Sequence, residues 1–206
     1  MPDSLDRIYD DFATTYALNR TVFDIDSELR AFRGVLPPVG DLLDLGCGAG
    51  EPVAVSFLDR GWQVTGVDFS HGMLELAAHY APEMARVCSD MRDVQFPEAS
   101  FDAVTCVYAL FHVPREYHPA LFRRVAEWLR PGGGLLFTYA TKAYTGSDRF
   151  EGMKEFMGRR LFYSHLTPAE MATQVNEAGL EVVSARDREI GGETFLWVIA
   201  RAQERT

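Results

Sequence analysis

The chain has 206 residues, 47% of them hydrophobic and 24% charged, which suits one domain with a real core and is too apolar for a disordered segment. Twenty lysines and arginines stand against 30 aspartates and glutamates, a formal net charge of −10. Such a chain is repelled by phosphate backbones and anionic lipid, and its adjacent basic residues, Arg123-Arg124 and Arg159-Arg160, are pairs rather than stripes, so neither nucleic acid nor membrane is an expected partner.

The opening residues lack the charged and apolar regions of a secretory leader, and the longest mainly apolar run, 103–113, is well short of the ~18–20 residues of a membrane helix. Cys47, Cys88 and Cys106 are odd in number and irregularly spaced, which predicts buried free thiols, no metal site and a cytoplasmic protein.

Leu5, Ile8, Tyr9, Phe12 and Tyr16 recur at helical steps, as do Ile25, Leu29 and Phe32, until Gly34 and Pro37-Pro38 end the pattern. Residues 41–45 read as a short buried strand closed by glycines. Val53, Ala54, Phe57 and Leu58 form a helix face stopped by Gly61, and 63–67 is a second strand. A helix carrying Met73, Leu74, Ala77 and Tyr80 follows, with Ser70 as its N-cap. A weak strand at 86–88 and a strong one at 102–108 precede a helix over 117–129 bearing Leu121, Val125 and Trp128. Pro131 to Gly134 reads as a turn and 135–139 as a strand. Thr167-Pro168-Ala169-Glu170 is a capping box, and 180–186 with 194–200 reads as a hairpin turning at Gly191-Gly192.

This alternation predicts an α/β fold: a seven-stranded, mostly parallel doubly wound sheet with helices on both faces and one antiparallel strand from the C-terminal hairpin. One domain is expected over 1–206, divided into an N-terminal helical cap (1–38), a cofactor-binding core (39–140), a substrate lid (141–166) and a C-terminal helix and hairpin (167–206). The lid is the least regular stretch, yet it carries Phe150, Met153, Phe156, Met157, Phe162 and Tyr163.

The strongest chemical signal is Asp44-Leu45-Gly46-Cys47-Gly48-Ala49-Gly50 between a strand and a helix. Glycines let the backbone turn sharply and approach a ligand, and ligands in open α/β sheets bind beyond the carboxyl ends of the strands. Asp68 closes the next strand, where a carboxylate can accept both hydroxyls of an adenosine ribose. Asp90 is placed to accept the adenine exocyclic amine, with Phe69 and Met91 on either side of the ring. A dinucleotide fingerprint would want glycine or alanine at position 51; the chain has Glu51, whose charge also disfavours a pyrophosphate there.

These residues resemble the class I S-adenosylmethionine-dependent methyltransferases, and within them the small-molecule type. The matching pieces are Leu43 to Gly50, Val64 to Ser70, Met73-Leu74, Ser89-Asp90-Met91, Phe101 to His112 and Leu129 to Gly133. The resemblance implies S-adenosylmethionine as cofactor and S-adenosylhomocysteine as product. It sets Gly46, Cys47 and Gly48 against the methionine part, Asp68 on the ribose, and Phe69, Asp90 and Met91 around adenine. Met73 and the Val107 backbone are also on the cofactor side, and Tyr16 closes over the cofactor's carboxylate. The implied reaction moves a methyl group to an oxygen, nitrogen or carbon of a small, partly hydrophobic molecule.

His112 is the first candidate base and His165 the second, because an imidazole titrates near neutrality. Tyr9, Phe12, Phe150, Tyr163 and Glu193 are the candidate acceptor-binding residues, while His71, His79 and His118 read as surface or helix-face residues. Tyr108 to His112 differs from the Asn/Asp-Pro-Pro-aromatic signature of DNA amino-methyltransferases, and no carboxylate cluster of the metal-dependent catechol type stands there. Two alternatives stay open: a protein that binds S-adenosylmethionine without transferring methyl, and a nicotinamide-dependent oxidoreductase. A monomer or a homodimer is expected.

Overall fold

Short apolar runs alternate with amphipathic stretches from residue 41 onward, and this alternation organises the computed structural model, which describes residues 24–156 and 158–203. The helix expected over 5–16, with Tyr9, Phe12 and Tyr16, lies outside the described residues. The elements in chain order are α1 (Asp26–Arg33), β1 (Asp41–Leu45), α2 (Val53–Leu58), β2 (Gln63–Asp68), α3 (His71–Tyr80), β3 (Ala85–Cys88) and β4 (Phe101–Cys106). They continue with α4 (His118–Trp128), β5 (Leu129–Tyr139), α5 (Lys142–Thr145), β6 (Phe150–Phe156), β7 (Arg159–His165), α6 (Pro168–Glu177), β8 (Leu180–Ile190) and β9 (Glu193–Ala202).

Among the described residues, seven strands form one sheet in the order β3-β2-β1-β4-β5-β9-β8. β9 runs antiparallel to both neighbours, and the pairings from β3 across to β5 are all parallel. The chain leaves β1 for β2 and β3, then returns to β4 on the other side of β1. The connections at the carboxyl ends of β1 and β4 therefore diverge, and this is where an open α/β sheet makes its crevice.

Alternation along each strand divides the core between the two faces. Leu42, Val64, Ala103, Leu136 and Trp197 pack with Leu29 and Phe32 of α1, Ala54 and Phe57 of α2, and Leu74 and Ala77 of α3. Leu43, Leu45, Val67, Val104, Cys106, Leu135 and Phe137 pack with Leu121, Phe122, Val125 and Trp128 of α4 and Met171 and Val175 of α6. Each leucine, valine, phenylalanine or methionine among them contributes about 1.5–3 kcal/mol on burial.

The local signals act as their chemistry requires. Ser70 Oγ accepts the Met73 N–H at 3.1 Å. Thr167 and Glu170 cap each other's backbone, and Arg149 holds Glu170 from outside at 2.7 Å. Gly191 and Gly192 both have positive φ, as a two-residue hairpin turn between twisted strands demands.

Several expectations are corrected. The stretch read as irregular carries regular elements among its described residues: α5 leads into β6, which pairs antiparallel with β7, with Phe150 opposite His165 and Phe156 opposite Arg159. Its period of two was obscured because Gly152 and Lys154 occupy positions on the same strand face as Phe150 and Phe156. The turn at 131–134 is carried inside β5, whose pairing with β4 jumps from Phe101–Leu129 to Ala103–Gly134. Cys47 and Cys106 are buried, but Cys88 is exposed because β3 is an edge strand of the described sheet. His118 is fully buried, its Nε2 paired with the Val113 carbonyl at 2.9 Å.

At the opposite edge, β8 presents Arg186 and Arg188 on one face and Asp187 and Glu189 on the other. Their partners on β9 are Trp197 and Phe195 for the arginines, and Leu196 and Thr194 for the acids. Arg188 pairs with Glu28 of α1 at 2.9 Å.

Candidate functional site

The glycine turn is built by hydrogen bonds across β1 and β2. The N–H groups of Gly46 and Cys47 both donate to the Val67 carbonyl, at 2.7 and 3.1 Å. Gly46 sits at φ +70°, and a Cβ there would stand 2.4 Å from the Ala109 Cβ, so the turn and the segment after β4 approach as only glycine allows. At Gly48, with φ +50°, an added Cβ meets nothing within 4 Å. The turn thus abuts protein at its start and is open at its middle, where a ligand can lie against backbone.

Asp68 ties this turn to the end of β2. Its Oδ2 accepts the Gly48 N–H and its Oδ1 accepts the Ser70 N–H, both at 2.9 Å. Beneath it, Asp44 is 2% exposed and accepts a hydrogen bond from Thr105 Oγ1 at 2.7 Å. Burial, with a smaller push from the Asp68 charge, raises the Asp44 carboxyl to about 7. Two carboxyl groups thus meet at the head of one turn, of which Asp44 holds a proton up to about 7. In the sequence Asp44 is only the first residue of a motif, because its burial depends on the β1–β4 register.

Phe69 is half-buried and Met91 and Met73 are buried. The Met91 methyl approaches Gly46 to within 3.4 Å of where a Cβ would be, and the Ser89 N–H donates to the Asp68 carbonyl at 3.0 Å. Gly46, Gly48, Asp68, Phe69 and Met91 therefore converge. Asp90 follows directly, but its carboxylate is engaged: it accepts the Arg92 backbone N–H at 2.7 Å and Arg92 Nη2 at 2.6 Å. Burial would raise the Asp90 carboxyl, yet the Arg92 hydrogen bonds outweigh it and hold it below the ordinary value.

After β4 the backbone is strained. Tyr108 adopts φ +55°, rare for a bulky residue, and its N–H is held by Thr138 Oγ1 at 2.6 Å. No sequence pattern marks this. The strained residue sends the half-buried Val107 and the turn Leu110–His112 over the end of the sheet. His112 Nδ1 lies 2.7 Å from the Phe162 carbonyl, which can only accept; Nδ1 carries the proton and the basic lone pair is on Nε2. Burial lowers His112 to about 4, so the ring is neutral near pH 7.

Around His112 stands an aromatic cluster drawn from four elements. Phe111 stacks between Tyr163 of β7 at 5.2 Å and Phe195 of β9 at 4.8 Å, and the His112 ring lies 4.7 Å from Tyr163. The Tyr144 hydroxyl of α5 donates to that of Tyr163 at 3.1 Å, and Lys154 Nζ of β6 lies 4.4 Å from the Tyr144 ring centre. Glu193 is half-buried beside Tyr144 and its carboxyl is raised by burial. Tyr163, Glu193 and His112 are thus brought to one place, and Phe150 borders the same cluster.

His165 is placed differently from the expectation of a base. It is fully buried, with Nε2 2.7 Å from Thr145 Oγ1, Nδ1 2.9 Å from the Leu166 carbonyl, and Phe150 stacked on it. Both ring nitrogens are thus engaged, Nε2 fastening the end of β7 to α5 and Nδ1 bonding the carbonyl of the next residue.

The buried ionisable groups set an expected pH response. His112 and His118 are each lowered to about 4 by burial, whereas the unfolded chain takes up those protons at 6.5. Asp44 works oppositely, since its folded carboxyl holds a proton up to about 7 and its unfolded one only below 3.8. Between pH 6.5 and 4 these two histidines, with buried His165 lowered in the same direction, outweigh Asp44 and the raised Glu193, so stability should fall as pH falls. Urea unfolding at the two ends of that window checks this; a flat or opposite dependence would contradict the burial of the histidines.

Among the described residues, no helix is long and apolar enough to cross a membrane. Residues 42–133 match a family model described as a methyltransferase domain. The chain is 34% identical over 166 residues to 27-O-demethylrifamycin SV methyltransferase of Amycolatopsis mediterranei (strain S699), covering 75% of this chain and 59% of that protein. It therefore spans less than two thirds of that relative's length. It is 30% identical over 193 residues to ubiquinone biosynthesis O-methyltransferase of Paracidovorax citrulli (strain AAC00-1), covering 81% of this chain and 79% of that one. Among solved structures, its fold is similar to Burkholderia thailandensis 1,6-didemethyltoxoflavin-N1-methyltransferase with bound 1,6-didemethyltoxoflavin and S-adenosylhomocysteine. The TM-score is 0.68 at 22% identity, over 99% of this chain and 93% of that one.

Proposed function

The chain belongs to the class I S-adenosylmethionine-dependent methyltransferases, and from that premise we propose that it methylates an oxygen, nitrogen or carbon of a small, partly hydrophobic acceptor. Its relatives support the acceptor class: one is named for a demethylrifamycin, one for ubiquinone biosynthesis, and the solved neighbour holds 1,6-didemethyltoxoflavin.

The observation that carries the reading is the Asp68 link between the open glycine turn and the end of β2, with buried Asp44 below it. Those groups fit the cofactor: acid oxygens that can accept from a ribose diol and an ammonium, and open backbone at Gly48. In the proposed arrangement Gly46, Cys47 and Gly48 lie along the methionine part and Asp68 takes the ribose hydroxyls. Phe69, Asp90 and Met91 surround the adenine, and Met73 and Val107 support the two sides. S-adenosylmethionine supplies a methyl group already activated for in-line displacement, so the protein's task is mainly alignment and exclusion of water.

His112 is the residue proposed to remove the acceptor's proton, at Nε2. A base with so low a pKa suits a late transfer: once the methyl group begins to bond, an acceptor hydroxyl proton becomes far more acidic than in the free molecule. Tyr163, Glu193 and Phe150 supply the acceptor's apolar and polar contacts. Tyr9, Phe12 and Tyr16 belong to the same proposal from the sequence side.

The test is turnover. Incubated with S-adenosylmethionine and a panel of small phenols, enols and amines, the protein should release S-adenosylhomocysteine in step with an acceptor gaining the mass of one methylene. Tight binding of S-adenosylmethionine with no transfer to any member of the panel would overturn the acceptor class proposed here.

A further inference from the structure

The segment between β3 and β4 carries the adenine side of the site, yet it has little regular structure of its own. Its internal backbone bonds are the Asp93 and Val94 N–H groups on the Asp90 carbonyl, at 2.9 and 3.2 Å. A side chain from the opposite element organises the rest. Arg124, on α4, donates Nη1 to the Arg92 carbonyl at 2.5 Å and to the Val94 carbonyl at 3.4 Å, and Nη2 to the Met91 carbonyl at 3.3 Å. Its guanidinium stands 5.6 Å from the Trp128 ring centre, which fixes the plane of the fork. The turn so gripped projects the Arg92 side chain back onto Asp90. There Nε lies 3.0 Å from both carboxylate oxygens and Nη2 lies 2.6 Å from Oδ2, with Arg92 backed by the Tyr117 ring at 5.2 Å.

We propose that Arg124 is a positioning residue for the adenine end of the cofactor: by holding the 91–94 turn it aims Asp90 through Arg92, and so sets how strictly the site demands adenine's exocyclic amine. This rests on the reading of Asp90 as the acceptor of that amine. A lysine could not take the role, because one ammonium cannot span three carbonyls in the fixed geometry of a planar fork. Held in place, Asp90 offers a fixed acceptor to the amine. Released, the carboxylate turns to solvent and meets amine-bearing and amine-lacking purines alike.

The experiment compares affinities for S-adenosylhomocysteine and for its analogue in which hydrogen replaces the exocyclic amine, by calorimetry on the whole protein. A site with a positioned carboxylate should prefer the amine by about tenfold or more. Arg124→Met keeps the apolar stem and removes the fork. It should bring the preference to within about threefold of unity, mainly by weakening S-adenosylhomocysteine, while the analogue's affinity stays nearly unchanged. Arg92→Met, a change at a part-exposed side chain, should erase the preference in the same way, and it decides the matter if Arg124→Met does not fold. A preference retained in a folded Arg124→Met, or in Arg92→Met when the other variant fails, overturns the inference. Asp90→Ala, which leaves no acceptor, separates the underlying reading: a preference untouched there removes Asp90 from the adenine. A preference lost there and kept in the arginine variants overturns the role of Arg124 alone.

Discussion

Replacing Asp68 with alanine should weaken S-adenosylhomocysteine binding by roughly a hundredfold to a thousandfold, the largest effect expected of any single change in the cofactor half of the site. The proposed ribose contacts are charge-assisted hydrogen bonds, about 1.5–3 kcal/mol each. In addition the carboxylate holds the Gly48 and Ser70 N–H groups, so its loss frees the turn that must lie against the ligand. For the same reason the protein itself should lose about 1–3 kcal/mol of stability. Asp68→Asn should fall between, since the amide oxygen still accepts one backbone bond. Calorimetric titration beside urea unfolding separates the two losses. An affinity within threefold of the unsubstituted chain, in a folded Asp68→Ala protein, would take the residue out of the cofactor site.

Replacing His112 with alanine should lower turnover by roughly a hundredfold or more while leaving S-adenosylhomocysteine affinity within about threefold. A residue acting only as packing would instead move stability and leave the rate per folded molecule intact. The pH profile gives a second, sharper reading. An ordinary histidine base loses activity as pH falls through about 6.5. His112, lowered to about 4 by burial, stays neutral through that range, so the acid limb should be displaced toward pH 4. An inflection near 6.5 that vanishes in His112→Ala would mean that the ring is more solvated during turnover than its packing against Tyr163 and Phe111 suggests.

Much of this architecture is legible in residue order because the deciding interactions are local. The Ser70 cap, the Thr167–Glu170 box and the Gly191-Gly192 turn each need only three or four neighbouring residues. The glycine turn with Asp68 twenty residues beyond Gly48 is nearly as local, since one helix and one strand connect them. What escaped the sequence depends on partners far along the chain. His118 looks polar at a helix start, but Leu110–Val113 folds back to give it a carbonyl and a dry pocket. Tyr108 is held in its left-handed conformation by Thr138, thirty residues later. Arg124 reads as half of a basic pair, and only the α4 packing reveals that it faces the 91–94 carbonyls. The β6–β7 hairpin was hidden because its partner strand, rather than its own alternation, fixes it as sheet.

The rim of the sheet at β8 has a consequence for self-association. A second copy that extended the sheet antiparallel across a two-fold axis would leave the faces of the sheet unchanged, so only residues of one face could come to stand opposite each other. On β8 those residues are alike in sign: Arg186 with Arg188 on one side, Asp187 with Glu189 on the other. With the axis anywhere within 186–189, arginine therefore meets arginine, or acid meets acid, across the new seam. Like charges directly opposite oppose strand pairing. The alternation of sign along this strand thus makes the rim unwelcoming to its own copy, while a strand of different charge order would not be refused on that ground.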